Sequence, residues 1–395
     1  MARVKIDRRT FLATSAAAAA SAAATQPARA VYGDAPIAGT VTLAVVAPFT
    51  GDQIRLGEQM GNGVRAAIDD ANRLRGTLDK SYVMRTFDDQ NLLATGLVNA
   101  EFACDDSSVV AVIGHLSGRI TDAALHTYVN EKMPVICPAS TYDPLTSHGY
   151  GNLLRLTTKD STEGRLAAKH VLAGTTPPKT ISVLFQDGDY GIDVASGFVQ
   201  QVTDDKAKAV PVTISWEKPD WDAAVKAALD PKPDAIFLAG IAKDLGPVVP
   251  KLREAGYAGT FFGSQGFFDA TLLKTYPTQV EGLVISTSMP PLALAPGAFR
   301  IKNDFEQKYG AMTPLSAFSY AAAQIVIAVV RRTNANDRLG VARALNFSST
   351  FDTVVGSLNF GNDGDPLNPN VYFYAVTDGK WKYLSSANPT SFIVK

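Results

Sequence analysis

Val41, Thr42, Leu43, Ala44, Val45, Val46, Ala47 form an apolar, largely β-branched run stopped by Pro48, and Gly57 to Asn72 follows with apolar residues at three- and four-residue steps. A short run of this kind suits a strand buried on both faces, and the periodic segment suits a helix packed against it. The pattern recurs. Tyr82 to Asp88 leads into Leu93 to Asp105, Val109 to Gly114 into Thr121 to Glu131, and Pro134 to Pro138 closes the series. This alternation predicts an α/β layer, a parallel sheet wound on both faces.

A second series repeats the first. Helical Thr162 to Leu172 precedes strand Thr180 to Gln186, then helix Ile192 to Val202, strand Val210 to Ser215, helix Trp221 to Leu229, strand Ala235 to Leu238, helix Gly246 to Ala255 and strand Thr260 to Gly263. After Leu283 to Ser286, two helices (Ala298 to Tyr309, Ser316 to Arg331) and strand-like pieces at Gly356 to Phe360 and Tyr372 to Val376 remain. Left over after two full layers, they must return to one or the other. The expectation is two doubly wound parallel-sheet lobes joined by a multi-strand hinge, with 40–157 and 289–350 in the first lobe and 158–288 and 351–395 in the second. Crossings are expected near Leu156 to Asp160, Thr287 to Pro290 and Phe351 to Val355. Such a hinge lets the lobes close on a ligand held at the strand ends.

The first thirty residues read differently. Arg8 and Arg9 precede the Ala-rich stretch Ala13 to Ala24, and Ala28, Arg29, Ala30 supply small residues where a signal peptidase cuts. The arginine pair suggests the twin-arginine route, with cleavage near Ala30 and a periplasmic destination. About 12 mostly alanine residues fall short of the ~20 needed to span a bilayer. Ala321 to Val330, the longest later apolar run, reads by length as a core helix.

Apolar content of 46% and charged content of 19% describe a well-packed globule. Of 37 basic and 38 acidic side chains, five basic and one acidic fall in the first thirty residues, leaving 32 against 37. With no basic stripe longer than Arg331 and Arg332, a nucleic-acid partner is not expected. His115, His126, His148 and His170 have no metal-ligand spacing, so neither metal nor cofactor is expected. Cys104 and Cys137 read as two separate buried thiols rather than a disulfide scaffold.

Catalytic patterns are weak. Gly61, Asn62, Gly63, Val64, Arg65, Ala66 matches a dinucleotide fingerprint in letters but lies inside a helix, where the glycines suit helix packing. Gly114, His115, Leu116, Ser117, Gly118 has its serine one place late for a nucleophile elbow. Asp363 and Asp365 lack the later ligands of a calcium loop and read as a turn. An enzyme is not expected.

The chain resembles the type I periplasmic solute-binding proteins, in particular the leucine/isoleucine/valine-binding branch serving ABC importers. The matching residues are Val46 to Gly51, then Gly57 with the helix ending Ile68, Asp69, Asp70, Ala71, Asn72; Asp88 and Asp89; Val112 to Ser117; and Pro134 to Thr141 with Pro144, Leu145, Thr146. The second half adds Asp189, Tyr190, Gly191, then Asp234 to Gly240, and Ser319 to Ala322. The resemblance covers about residues 40 to 380 and implies a usually monomeric binding protein that delivers a small carboxylate-bearing ligand to an inner-membrane permease. A sensory or amide-binding relative serving a receptor is the alternative.

The same resemblance implies the site. Ser117, Gly118, Ala139, Ser140 and Thr141, at two strand ends of the first lobe, would hold the ligand's carboxylate and ammonium through hydroxyls and helix N-terminal amides. Tyr190 would close over the ligand from the second lobe. Where amino-acid binders place an acid, this chain has Gln265, which suggests a ligand without an α-ammonium. Leu56 and Ile241 replace frequent aromatic or polar contacts, Arg55 offers a forked donor to a second anionic group, and Phe267 and Phe268 suggest an apolar wall with at least one of the two in the core. The ligand expected is therefore a branched-chain or other apolar amino acid, or an aromatic or aliphatic acid.

Overall fold

The computed structural model describes residues 39–74, 80–294, 298–346 and 350–388. Residues 1–30, with the expected export signal and its expected cleavage near Ala30, lie outside these residues. Five strands, β1 (Thr40–Ala47), β2 (Ser81–Asp88), β3 (Val109–Gly114), β4 (Val135–Cys137) and β5 (Leu153–Arg155), form a wholly parallel sheet in the order β2-β1-β3-β4-β5. Between them run α1 (Ile54–Arg73), α2 (Leu93–Asp105) and α3 (Gly118–Asn130). Seven of the eight β1 residues are buried, as a strand covered on both faces requires. Alternate β1 side chains separate accordingly: Val41, Leu43 and Val45 join one core with α1, and Ala44 and Val46 join another with α2 and α3.

The second sheet takes β6 (Thr180–Gln186), β7 (Lys208–Ile214), β8 (Ala235–Ala239), β9 (Thr260–Gly263) and β10 (Val284–Thr287). Its helices are α4 (Asp160–Leu172), α5 (Asp189–Asp204), α6 (Trp221–Leu229), α7 (Ala242–Leu245), α8 (Val248–Glu254) and α9 (Ala270–Thr275). The chain then gives α10 (Ala298–Tyr309), α11 (Pro314–Thr333) and α12 (Arg338–Asn346), the hairpin β11 (Thr350–Thr353) and β12 (Gly356–Asn359), and the hairpin β13 (Val371–Thr377) and β14 (Lys380–Ala387). The seven-stranded order is β14-β13-β10-β9-β8-β6-β7, with β13 and β14 antiparallel additions at one edge. Two cores again cover its two faces.

Helix α11 is long and apolar enough to cross a bilayer by composition, but it is mostly buried in the first core beside α1. The contact is close because α1 offers glycine there. A Cβ on Gly63 would lie 2.3 Å from Ser316 O, and one on Gly61 would meet the Phe49 ring, so these glycines serve packing. Cys104 and Cys137 are free and buried in the core beneath α2 and α3.

The chain passes between sheets three times. The first two passages touch, Thr158 N donating to Ser288 Oγ at 3.4 Å. The third lies later than Phe351 to Val355, where the sequence reading had put it and had begun the second lobe. Phe351, Val354 and Val355 bury in the first core, and the turn after β12 still belongs there. Arg155, wholly buried, donates to Asp365 Oδ1 (2.8 Å), Tyr142 O (2.6 Å) and Thr146 Oγ1 (2.6 Å), while Lys159 reaches Asp365 Oδ2 at 2.5 Å. Arg155 N also donates to Gly364 O, and Gly364, at φ +82°, comes so close that a Cβ would lie 2.1 Å from Leu153 O. Asp365 thus clamps a turn to the edge of the first sheet, and the return to the second follows it.

Candidate functional site

In open α/β sheets the crevice lies where neighbouring strands send their connections to opposite faces, beyond the strands' carboxyl ends. In the first sheet that point falls between β1 and β3, in the second between β6 and β8. The turns leaving these strands meet in one cleft. It has two compartments, of about 510 and 620 Å³, with Leu116, Ala139, Tyr190 and Ile241 between them as shared walls.

The wall from the first lobe is built on β3 and β4. His115, fully buried, is held through Nδ1 by Asp89 Oδ2 (2.8 Å) and through Nε2 by the Tyr128 hydroxyl (2.9 Å). With His115 fixed inward, the next residues turn into the cleft: Leu116, Ser117 and Gly118 all line the first compartment. Ser117 is the N-cap residue of α3 but makes no side-chain cap, so its hydroxyl and the first amides of the helix have no intrahelical partner. That is an anion-seeking arrangement. Gly118 is sterically required, since a Cβ there would lie 2.4 Å from Ser140 Oγ and from Tyr142 Cβ. Ala139, Ser140 and Thr141 line the same compartment from the end of β4, and Thr157 Oγ1 braces them through Ser140 O at 2.9 Å.

From the second lobe, Tyr190 stands at the start of α5 with its hydroxyl accepting from Gly266 N at 2.9 Å. Burial pushes this phenol well above its ordinary range, so it stays neutral. Ile241, 48% exposed, presents an apolar surface to both compartments, and its amide donates to Gln186 Oε1 at 2.7 Å. Gln265 lines the second compartment, but its Oε1 accepts from Ser288 N (3.2 Å) and its backbone N–H donates to Glu163 Oε1 (2.7 Å). It therefore ties the second passage to the second lobe. Glu163 is buried, also accepts from Ser286 Oγ at 2.7 Å, and is pushed up to about 7 by burial against those two donors.

Arg55 and Leu56 both line the second compartment, Arg55 exposed at its rim with no ion-pair partner among the described residues. Phe267 does not line the cleft. It is fully buried in the core of the second lobe, and Phe268 faces the second compartment with Trp381. Gln265–Phe267 forms a 3-10 turn, which sends adjacent side chains in different directions, so Phe267, expected on the apolar wall, is the member of the pair that lies in the core, and Phe268 is the one at the wall.

Three cleft features escaped the sequence reading. Asp160, at the first turn of α4, is 2% exposed and lines the first compartment. Arg119 of α3 and Asp189 of α5 pair across the cleft, with Arg119 NH2 to Asp189 Oδ1 at 2.6 Å. Trp216, 61% exposed, stands at the mouth. An acid in a helix's first turn ordinarily reads as a partner for the helix dipole, so only the fold reveals that Asp160 is enclosed.

A family model described as periplasmic binding protein matches residues 40–380. Among curated proteins, the Leu/Ile/Val-binding protein of Citrobacter freundii is 27% identical over 345 residues, covering 82% of this chain and 88% of its own length. Among solved structures, a leucine binding protein, LivK, from Thermotoga maritima aligns with a TM-score of 0.78 at 23% identity, over 89% of this chain and 100% of that one. A solute binding protein of an ABC transporter from R. palustris, in complex with benzoate, aligns with a TM-score of 0.75 at 17% identity, over 89% and 97%. At these identities the structural likeness speaks for the fold alone.

Proposed function

The chain belongs to the periplasmic binding protein family, and on that premise we propose that it is the solute-binding component of an ABC importer, capturing a small carboxylate-bearing ligand between its lobes. The observation that carries this reading is the uncapped start of α3, Ser117 with free helical amides, facing Tyr190 across the cleft. The ligand docks first on Ser117, Ser140 and Thr141; closure then adds Tyr190 and Ile241, and those extra contacts stabilise the closed state. A few charge-assisted hydrogen bonds with apolar burial support micromolar affinity, about −8 kcal/mol. Relatives named for leucine, isoleucine and valine, and one holding benzoate, bracket the chemistry: an apolar or aromatic body behind a carboxylate. In this reading residues 1–30 are a twin-arginine export signal removed near Ala30, and the monomeric protein in the periplasm meets an inner-membrane permease.

A thermal-shift screen of refolded, ligand-stripped protein against amino acids, aromatic acids, aliphatic acids and amides tests it. At least one carboxylate should raise the midpoint by several degrees, as binding to the folded state alone requires. Failure of every carboxylate, or a shift produced only by amides, would contradict the proposal.

A further inference from the structure

Arg55 lines the rim of the second compartment as a cation without an ion-pair partner among the described residues. It stands in the first turn of α1, where the helix dipole favours an anion over a cation. That turn holds no acidic residue, and Gln53 at its start makes no side-chain cap. By contrast Arg119, the cation lining the first compartment, is paired with Asp189. Asp269, the acid lining the second compartment, is committed to the start of α9, its Oδ1 accepting from Thr271 N at 2.5 Å. A further donor lines the compartment one turn along α1. Gln59 accepts from the Thr313 hydroxyl through Oε1 at 2.9 Å, which leaves its amide NH2 to donate. The remaining walls are largely apolar, with Leu116, Ile241, Phe268, Leu315 and Phe318. The second compartment therefore pairs an apolar body with an anion-seeking rim, as the first pairs Ile241 with the α3 amides.

We propose that the cargo is an apolar-bodied dicarboxylate, with one end at Ser117 and the α3 amides and the other at Arg55 and Gln59. The assignment rests on the carboxylate-binding reading above and narrows it. Size favours it, because each compartment alone falls within the roughly 300–1,000 Å³ that encloses a drug-sized ligand. A ligand as short as valine, held at Ser117, leaves the second compartment to water. An elongated diacid fills both, its methylenes or ring lying along the shared walls Leu116 and Ile241. The chemistry fits as well, since a guanidinium forks onto a carboxylate with two parallel hydrogen bonds. An open surface pair of this kind is worth little. Here Phe268 and Trp381 of the second lobe line the same compartment, so closure takes water from the pair and strengthens it. Both anchors belong to the first lobe, on α1 and α3, so the diacid docks at its two ends before the second lobe covers its body.

The test is calorimetric titration of the ligand-stripped protein and its Arg55→Met variant with adipate, suberate, azelate and terephthalate, each matched to a monoacid of the same body (hexanoate, octanoate, nonanoate, para-toluate). The wild type should prefer at least one diacid over its partner by about tenfold or more, and Arg55→Met should weaken that diacid by about tenfold or more. Its matched monoacid should change by less than about threefold, because methionine keeps the apolar stem. Monoacids that bind as tightly as their diacids overturn the assignment and leave the carboxylate-binding reading in place. A diacid preference that survives in Arg55→Met, or an equal loss of both classes, also overturns it. If Arg55→Met does not fold, the wild type decides: its diacid preference should shrink as ionic strength rises from about 0.02 to about 0.5 M, and a constant preference overturns the proposal. Binding of neither class overturns this assignment together with the reading it rests on.

Discussion

Glu163 sits under the hinge with Oε1 accepting from Gln265 N and Ser286 Oγ, and burial holds it to about 7. A folded-state carboxyl titrating above its unfolded value binds more protons folded than unfolded, so its contribution to stability is lost as pH rises from about 4.5 to 7. For a shift of this size the loss is on the order of 3 kcal/mol by pH 8. Glu163→Gln keeps an acceptor for both donors and removes the ionisation; denaturant midpoints at pH 5 and 8 should differ less in the variant than in the wild type. A pH slope unchanged by the substitution would mean that Glu163 is ionised at little cost. Thr141 carries the complementary prediction on binding: Thr141→Ala should weaken the ligand about tenfold with little change in the ligand-free melting temperature, and unchanged affinity would remove it from the site. At this scale the sequence was only partly legible. Ser117, Gly118, Ala139, Ser140, Thr141, Tyr190 and Ile241 share one compartment, but the facing of Phe267 and the enclosure of Asp160 depend on a 3-10 turn and on the neighbouring lobe, which local pattern does not encode.

Helices and strands were the most legible features, because their periods are physical: buried parallel strands are continuous apolar runs, and helices repeat every 3.6 residues. Leu93–Asp105, Val109–Gly114, Thr180–Gln186 and Trp221–Leu229 stand where that reading put them. The missed elements lack a distinct period. Strand β5 has three residues, and β14 (Lys380–Ala387) is a largely exposed edge strand with charged and polar side chains. The late passage to the second lobe was missed because the Arg155 clamp on Asp365 joins residues 210 apart in sequence. Helix contacts make a sharper prediction. Gly63→Ala would drive a Cβ into Ser316 O at 2.3 Å, backbone that cannot move aside, and should cost about 1–3 kcal/mol by chemical denaturation. Gly118→Ala should displace the α3 start from Ser140 and weaken ligand binding more than it lowers stability; the opposite order would mean that α3 is scaffold only.

Two parallel sheets, each with its strand-order reversal facing the other, make the molecule a clamp whose jaws are joined by three chain passages. Arg119 and Asp189 meet across the cleft, but both are substantially exposed, and such a pair is worth less than about 1 kcal/mol. Asp189→Asn should therefore speed ligand release only about two- to fivefold in stopped-flow measurements, equally for every ligand, with the difference gone in molar salt. A ligand-dependent effect would instead place Asp189 in direct contact with the cargo. The clamp itself is tested most directly by the crystal structure of the protein loaded with whichever carboxylate stabilises it most. Density should lie in the first compartment, the carboxylate at Ser117 and the α3 amides and the body against Tyr190 and Ile241. Density on an outer face of either lobe, with the cleft holding solvent alone, would contradict the account.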